Sequence, residues 1–380
     1  MKIIYVINDI GSKTGSVRMT IEKANYLAEQ YGYDISIISW GQCPKNVFYH
    51  VSDKVKQIYL EIPYYTQYHF RYPIRFWKKY ILNKELKNKL SNEIYKIDPD
   101  FLICISTLKA NIISTLKCRA IKIIECHEAR YFMTSRVWGQ SIPSYAFNRF
   151  IYTKLYFRTI ERNADVVVTL TSGAKQLWHK AKHVVVIPNF SSMTIKNYSN
   201  CKKKRIIAVG RLGKEKGFER LLDIWQIVSK RYPDWYLDIY GDGELKEQLK
   251  NKIVFNHIRN VTLCGAKSNI SEEYSKSSIC AVTSYFEGFS LVLLEAIKHG
   301  VPCIAYDCPF GPRNIIEDGK CGFLIEEGNN TLFAERLCTL IEDEQLRHHF
   351  SKAALERAKF FDTEKIMMRW KKLFEDLITK

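Results

Sequence analysis

Short apolar segments rich in β-branched residues recur along this chain and alternate with stretches of helical periodicity. KIIYVI opens the chain; DISIIS, FLICIS, IKIIEC, DVVVTL and VVVIP follow in the first half, RIIAVG and ICAVTS in the second. A strand that is apolar on both faces must be covered on both faces, as in a parallel sheet flanked by helices. Helical stretches between the strands, such as Val17 to Tyr31, fit the same plan, so the fold class is α/β. At 380 residues and about 150 per domain, the chain makes two domains. Its hydrophobic fraction of 46% is ample for two cores. The polar stretch NFSSMTIKNYSNCKKK after Pro188 reads as the connection between them. No run of about 18 apolar residues offers a transmembrane helix. MKIIYVINDIGSKTG reads as a strand and turn, not a signal peptide. The 11 cysteines include no C-x-x-C pair and read as small buried residues in a reducing cytoplasm.

The segment SYFEGFSLVLLEAIKHG, Ser284 to Gly300, narrows the chemistry. It places Glu287 in a Gly-containing turn and Glu295 inside an apolar helix that ends at Gly300 and Pro302. The free N–H groups of that helix, around Ser290, Leu291 and Val292, face something negative. At about 1.5 Å per residue, the two glutamates stand roughly 12 Å apart. A ligand with a hydroxyl-rich group at each end and a diphosphate between them fits, as in a nucleotide-sugar. The bland reading is a surface turn followed by a core helix with one stray acid. Against it, a carboxylate inside a hydrophobic helix needs hydrogen-bond partners, and ribose hydroxyls supply them.

EGFSLVLLEA followed by HGVPCIAYDCPFGPRNIIEDGKCGFLI resembles the donor-site signature of the retaining glycosyltransferases of family 4. AVGRLGKEKGFERLLDIW resembles that family's phosphate-binding segment, IYGDGELKEQL its next Gly turn, and VVVIPNF its interdomain crossing. The match is strongest over Val184 to Ile325. The resemblance implies the GT-B fold, two doubly wound Rossmann-like domains facing a central cleft. Residues 1–188 would bind the acceptor and 189–360 the nucleotide-sugar, with a C-terminal helix over 361–380 crossing back to the first domain. It places Glu295 on the ribose, and Glu287 with Gly288, Phe289, Ser290 and Leu291 on the sugar and phosphates. Arg211 and Lys216 would sit against the diphosphate, where fixed cations stabilise charge on the departing phosphate. His127, just past a strand end, would line the cleft beside the sugar, with Glu125 or Glu128 orienting its ring or touching the acceptor. The first Gly turn, GSKTGS, offers Gly15 as a donor contact, although the paired glycines usual in the family are absent, and it is neither a P-loop nor G-x-G-x-x-G.

The activity so implied is transfer of a hexose or N-acetylhexosamine, with retention, from a UDP-sugar to a glycan or lipid-linked glycan of a bacterial surface polysaccharide. No D-x-D loop is evident, so no metal and no cofactor are expected. The sequence singles out no carboxylate nucleophile, and the resemblance implies front-face attack by the acceptor. A nucleotide-sugar epimerase of the same fold and a non-catalytic module on a membrane or polyanion are the alternatives. The missing fingerprint glycines weigh against an NAD dehydrogenase.

Charge is unevenly placed. Residues 1–190 hold 28 Lys/Arg against 14 Asp/Glu (+14), and the rest hold 30 against 26 (+4), totalling +18. Pro63 to Leu90 alone carries seven basic residues, eight aromatics and one acid, Glu85. From Pro73 onward, Ile74, Trp77, Ile81, Leu82, Leu86 and Leu90 form an approximately helical stripe. Lys78, Lys79, Lys84, Lys87 and Lys89 can flank it. Such a helix suits the headgroup layer of an anionic membrane, and the plain alternative is a helix packed on its own sheet with a solvated basic face. With no nucleic-acid-binding motif beside the charge, nucleic acid is not an expected partner. The expected location is the inner face of the cell membrane, as a peripheral cytoplasmic enzyme.

Overall fold

The computed structural model describes residues 1–44, 47–71, 73–105, 109–127, 152–267 and 269–379, without the side chains of 152–154. The chain forms two compact units, Met1–Pro188 with Met367–Lys380, and Asn189–Ile366.

In the first unit the strands are β1 (Lys2–Ile7), β2 (Asp34–Ser39), β3 (Val55–Tyr59), β4 (Phe101–Cys104), β5 (Ile121–Cys126), β6 (Val166–Thr169) and β7 (Val184–Val186). They form one sheet in the order β3-β2-β1-β4-β5-β6-β7, with every pair parallel. After its first residue β1 is buried throughout, and so is all of β4. That explains why these strands read as continuous apolar runs instead of alternating ones. The helix Gly15–Gln30 starts two residues earlier than its periodicity suggests, because Thr14 caps it by accepting from the Val17 amide.

The helix after Pro73 runs from Ile74 to Ile97, and its apolar residues form two faces, not the single stripe expected. Leu82, Leu86, Leu90 and Ile94 recur every four residues and are buried in the unit's core, each burial contributing about 1.5–3 kcal/mol. Ile74, Trp77 and Ile81 lie on a different face, because neighbours such as Ile81 and Leu82 point about 100° apart. These three side chains are exposed at 58%, 61% and 55%, as are Phe76 and Tyr80 on the same two turns.

The second unit holds β8 (Arg205–Val209), β9 (Tyr236–Tyr240), β10 (Val261–Gly265), β11 (Ile279–Val282), β12 (Cys303–Tyr306) and β13 (Gly322–Ile325). Its parallel sheet runs β10-β9-β8-β11-β12-β13. The helix Phe218–Arg231 buries Leu221, Leu222, Ile224, Trp225 and Val228 against it. In both sheets the strand order reverses beside the first strand of the unit, between β1 and β4 and between β8 and β11. Doubly wound sheets bind ligands beyond the strand ends at such a reversal. The β8–β11 ladder pairs only Ile206 with Ile279 and Ile207 with Cys280, so the last residues of these two strands are not paired with each other. The final helix, Thr363–Ile378, begins in the second unit and continues into the first, where Phe374 packs on Phe101 of β4 with ring centroids 4.7 Å apart.

Candidate active site

The turn after β8 and the turn after β11 meet at the reversal in the second unit. Gly217 makes this possible: its φ is +64°, and a Cβ there would stand 2.2 Å from the carbonyl oxygen of Thr283. A side chain at this position would force the turns apart. Thr283 Oγ1 donates to the Gly217 carbonyl at 3.0 Å, and the Tyr285 amide donates to the Glu215 carbonyl at 2.9 Å. This lock brings Lys216 to Glu287, 71 residues further on, with Nζ donating to Oε1 at 2.8 Å. Ser284 Oγ donates to the same oxygen at 2.7 Å. Glu287 is 7% exposed, and its neighbour Gly311 leaves no room for a side chain, since a Cβ would fall 2.5 Å from Glu287 Cβ. Ser284 was not singled out from the sequence; its place three residues before Glu287 in one turn is the signal that could have found it.

Arg211 stands differently from Lys216. It is exposed and spans back to Glu215 Oε1, with Nη2 at 2.8 Å and Nε at 3.1 Å. The cation that meets Glu287 is thus Lys216, while Arg211 is held on the outer side of its own loop by a fork-shaped contact.

The helix Leu291–Lys298 follows directly, capped by Ser290 in a left-handed conformation, φ 73° and ψ 80°. For a non-glycine residue this backbone costs on the order of 1–3 kcal/mol. Ser290 is buried, and among the described residues its Oγ has no hydrogen-bond partner. A strained cap whose hydroxyl does not cap leaves the first amides of the helix and one hydroxyl to serve an anion. Gly288 and Leu291 are partly exposed beside it. The Phe289 side chain is buried against Phe361, ring centroids 5.6 Å apart, which leaves its backbone to reach a ligand.

Glu295, one turn into the helix, is 4% exposed. Its Oε2 accepts from the Tyr274 hydroxyl at 3.2 Å. Tyr274, on the short helix Ser271–Ser275, is buried and stacks on His299 at 5.3 Å. Burial and the nearby Glu295 carboxylate push the tyrosine's pKa well up, keeping it a donor. His299 Nδ1 lies 2.7 Å from the Glu295 carbonyl, and its Nε2 lies 2.7 Å from Ser271 Oγ. A carbonyl only accepts, so the ring proton is on Nδ1 and Nε2 accepts from the serine. Nothing in the sequence marks Tyr274, which lies 21 residues before Glu295 on a separate element.

In the first unit, Gly15 is exposed at the start of its helix in the turn after β1. His127 directly follows β5, and its Nε2 lies 3.0 Å from Oε1 of Glu125, the penultimate residue of that strand. Glu128 falls outside the described residues. The same Glu125 oxygen takes the ammonium of Lys23 from the helix Gly15–Gln30. Among the described residues, no group of three or more His, Cys, Asp or Glu side chains could hold a metal ion, and no helix is long and apolar enough to cross a membrane.

Two parallel doubly wound units, each with loops beyond a strand-order reversal, define the GT-B architecture. A structure of a Staphylococcus aureus TarM variant, solved with fondaparinux, α-GlcNAc-glycerol and UDP, matches 98% of this chain and 99% of its own at a TM-score of 0.78 and 15% identity, a likeness of fold. An uncharacterised glycosyltransferase of Haemophilus influenzae is 30% identical over 375 residues, 97% of this chain and 99% of the relative. An N-acetyl-D-galactosaminyltransferase of Campylobacter jejuni, whose name gives a diNAcBac-PP-undecaprenol-linked glycan as acceptor, is 26% identical over 387 residues, 99% of each chain. The family described as glycosyl transferases group 1 matches residues 192–357, the segment that carries Lys216, Glu287, Ser290 and Glu295. The chain belongs to this family of glycosyltransferases.

Proposed function

We propose that this enzyme transfers a hexose or N-acetylhexosamine from a UDP-sugar to a glycan or lipid-linked glycan of a bacterial surface polysaccharide, with retention of configuration. The observation that carries the reading is the Lys216–Glu287–Ser284 cluster beside the strained, uncapped helix start at Ser290. The diphosphate takes the amides around Ser290 and Leu291 and the Ser290 hydroxyl, with Arg211 turning from Glu215 to join it. Glu295, oriented by Tyr274, accepts from the ribose hydroxyls. Glu287, with the Gly288 and Phe289 backbone, holds the sugar, and the free ring nitrogen of His127 accepts a hydrogen bond from a sugar hydroxyl. As the glycosidic bond breaks, negative charge moves to the diphosphate, and Lys216 and Arg211 stabilise it more in the transition state than in the ground state. The acceptor hydroxyl attacks from the face the phosphate leaves, and the phosphate takes its proton. The UDP in the TarM structure and the lipid-linked acceptor in the name of the Campylobacter relative support this donor and acceptor.

The same reading puts the enzyme at the inner face of an anionic membrane. Trp77, Tyr80, Lys84 and Lys87, spaced three, four and three, share one face of the helix Ile74–Ile97, and all four are exposed. Aromatic rings at the interface with cations beside them match an anionic headgroup layer. Lys78, half-buried, and exposed Lys79 add charge on the flanks.

Nucleotide release from UDP-, GDP- and ADP-sugars, measured with and without membrane extract, tests the function. Release from a UDP-sugar that rises with extract is expected, and an axial-to-axial product configuration by NMR accompanies it. Absence of release from every donor would overturn the reading.

A further inference from the structure

Lys23 is 1% exposed, on the inward face of the helix Gly15–Gln30 with Thr20, Ala24 and Leu27. A lysine is almost never fully buried without a partner, and removing an ammonium from water costs free energy that an aliphatic side chain would not. Its partner is Glu125, itself 1% exposed, and the contact is made through Oε1. That atom is also the one 3.0 Å from His127 Nε2. The other carboxylate oxygen, Oε2, is buried and has no hydrogen-bond partner among the described residues. Both of the carboxylate's partners therefore share one oxygen, although a second is present, which ties lysine and histidine together electrostatically. The indole ring of Trp370, on the C-terminal helix, lies with its centroid 4.8 Å from the Lys23 ammonium and completes the enclosure.

We propose that Lys23 is a positioning residue that acts through Glu125 to set the proton location and charge of His127. An ionised carboxylate only accepts, so His127 must present Nε2–H to Glu125, which fixes the tautomer and the ring plane. A carboxylate alone beside an imidazole favours the imidazolium. Lys23 offsets that negative charge, so the ring is held in place yet stays neutral near pH 7. Among the described residues, Glu125 comes from β5, the C-terminal helix presents an uncharged indole, and on the lysine's own helix Arg18 pairs with Glu22 at 2.7 Å. Burial pulls the lysine itself well below its ordinary range, and the carboxylate beside it opposes that pull.

The catalytic consequence rests on His127 acting at the sugar, as proposed above, but the electrostatic claim does not. The test is titration of the His127 imidazole by NMR in the full-length protein, with folding followed by circular dichroism. Lys23→Met removes the offsetting charge, so the His127 midpoint should rise by about one pH unit, while Glu125→Gln should lower it. Lys23→Arg should restore the wild-type midpoint. Lys23→Gln, which keeps a donor for Glu125 while losing the charge, should also raise the midpoint and serves where the methionine variant does not fold. Opposite shifts with a fall in kcat at unchanged donor KM support both the relay and the role of His127. Opposite shifts with unchanged turnover support the relay and refute that role. A His127 midpoint that Lys23→Met and Lys23→Gln leave unmoved overturns the proposal.

Discussion

Lys216 and Glu287 allow stability and chemistry to be separated. Their contact is 2.8 Å long, with the lysine side chain 22% and the glutamate side chain 9% exposed. Lys216→Met leaves the Glu287 carboxylate buried with Ser284 as its remaining described donor. Stranding a buried polar group costs about 1–3 kcal/mol and a fully buried charge about 3–5; with the lysine partly exposed and Ser284 still donating, about 2 kcal/mol is expected here. Units of 150–250 residues lose roughly 2–4 °C in Tm per kcal/mol, so a fall of about 4–8 °C is expected. Glu287→Gln keeps an acceptor for Ser284 and leaves a cation that water can still reach, for about 1 kcal/mol. In the double variant no charge is stranded, and the coupling should return about 1 kcal/mol of the summed loss. Activity should behave otherwise. Each single change should lower kcat by about 10²-fold or more, because a group acting on transition-state charge is gone, and the double variant should be no better than the worse single. Calorimetric melts and initial-rate nucleotide release on the four proteins decide it. A double variant that regains turnover together with Tm would refute the reasoning and make the pair a structural strut.

Three further outcomes follow from the geometry. Glu295→Gln should weaken UDP binding by about 1–3 kcal/mol, and Tyr274→Phe, which removes only the orienting hydroxyl, should weaken it less, both read by calorimetry. Burial holds the His299 imidazole below its ordinary pKa of 6.5, so the unfolded chain takes up that proton first as pH falls. The stability His299 contributes is whole above about pH 6.5 and is lost below it; urea midpoints from pH 8 to 5.5 should decline, and His299→Gln should flatten the slope. Cosedimentation with anionic vesicles should succeed at low salt and weaken by about 0.5 M; replacing Lys78, Lys79, Lys84 and Lys87 with Gln should abolish it at about 1 kcal/mol per charge, with UDP binding unchanged.

The strands were legible because burial on both faces leaves a local apolar signature, and the helix at Leu291 because Gly300 marks its end. Lys216 and Glu287 could be named singly, but their pairing depends on Gly217 admitting the Thr283 carbonyl, a contact between turns far apart in sequence. The helix after Pro73 misled in a specific way: a stripe drawn through Ile74, Trp77, Ile81 and Leu82 joins two faces, and only packing tells which is covered. The sequence places Phe289 in the turn but does not tell that its ring packs on Phe361 in the core. Lys23 left a trace that went unread, a lysine at an inward position between Thr20 and Ala24, while Tyr274 left none, since its partner lies on another element.

The central claim is that the second unit binds a nucleoside diphosphate where β8 and β11 part. Calorimetric titration of the full-length protein with UDP, GDP and ADP, repeated with Lys216→Met, tests it most directly. One UDP site per chain is expected, tighter than for the other two nucleotides and weakened in the variant. No binding of any of the three, or UDP binding that Lys216→Met leaves untouched, would contradict it.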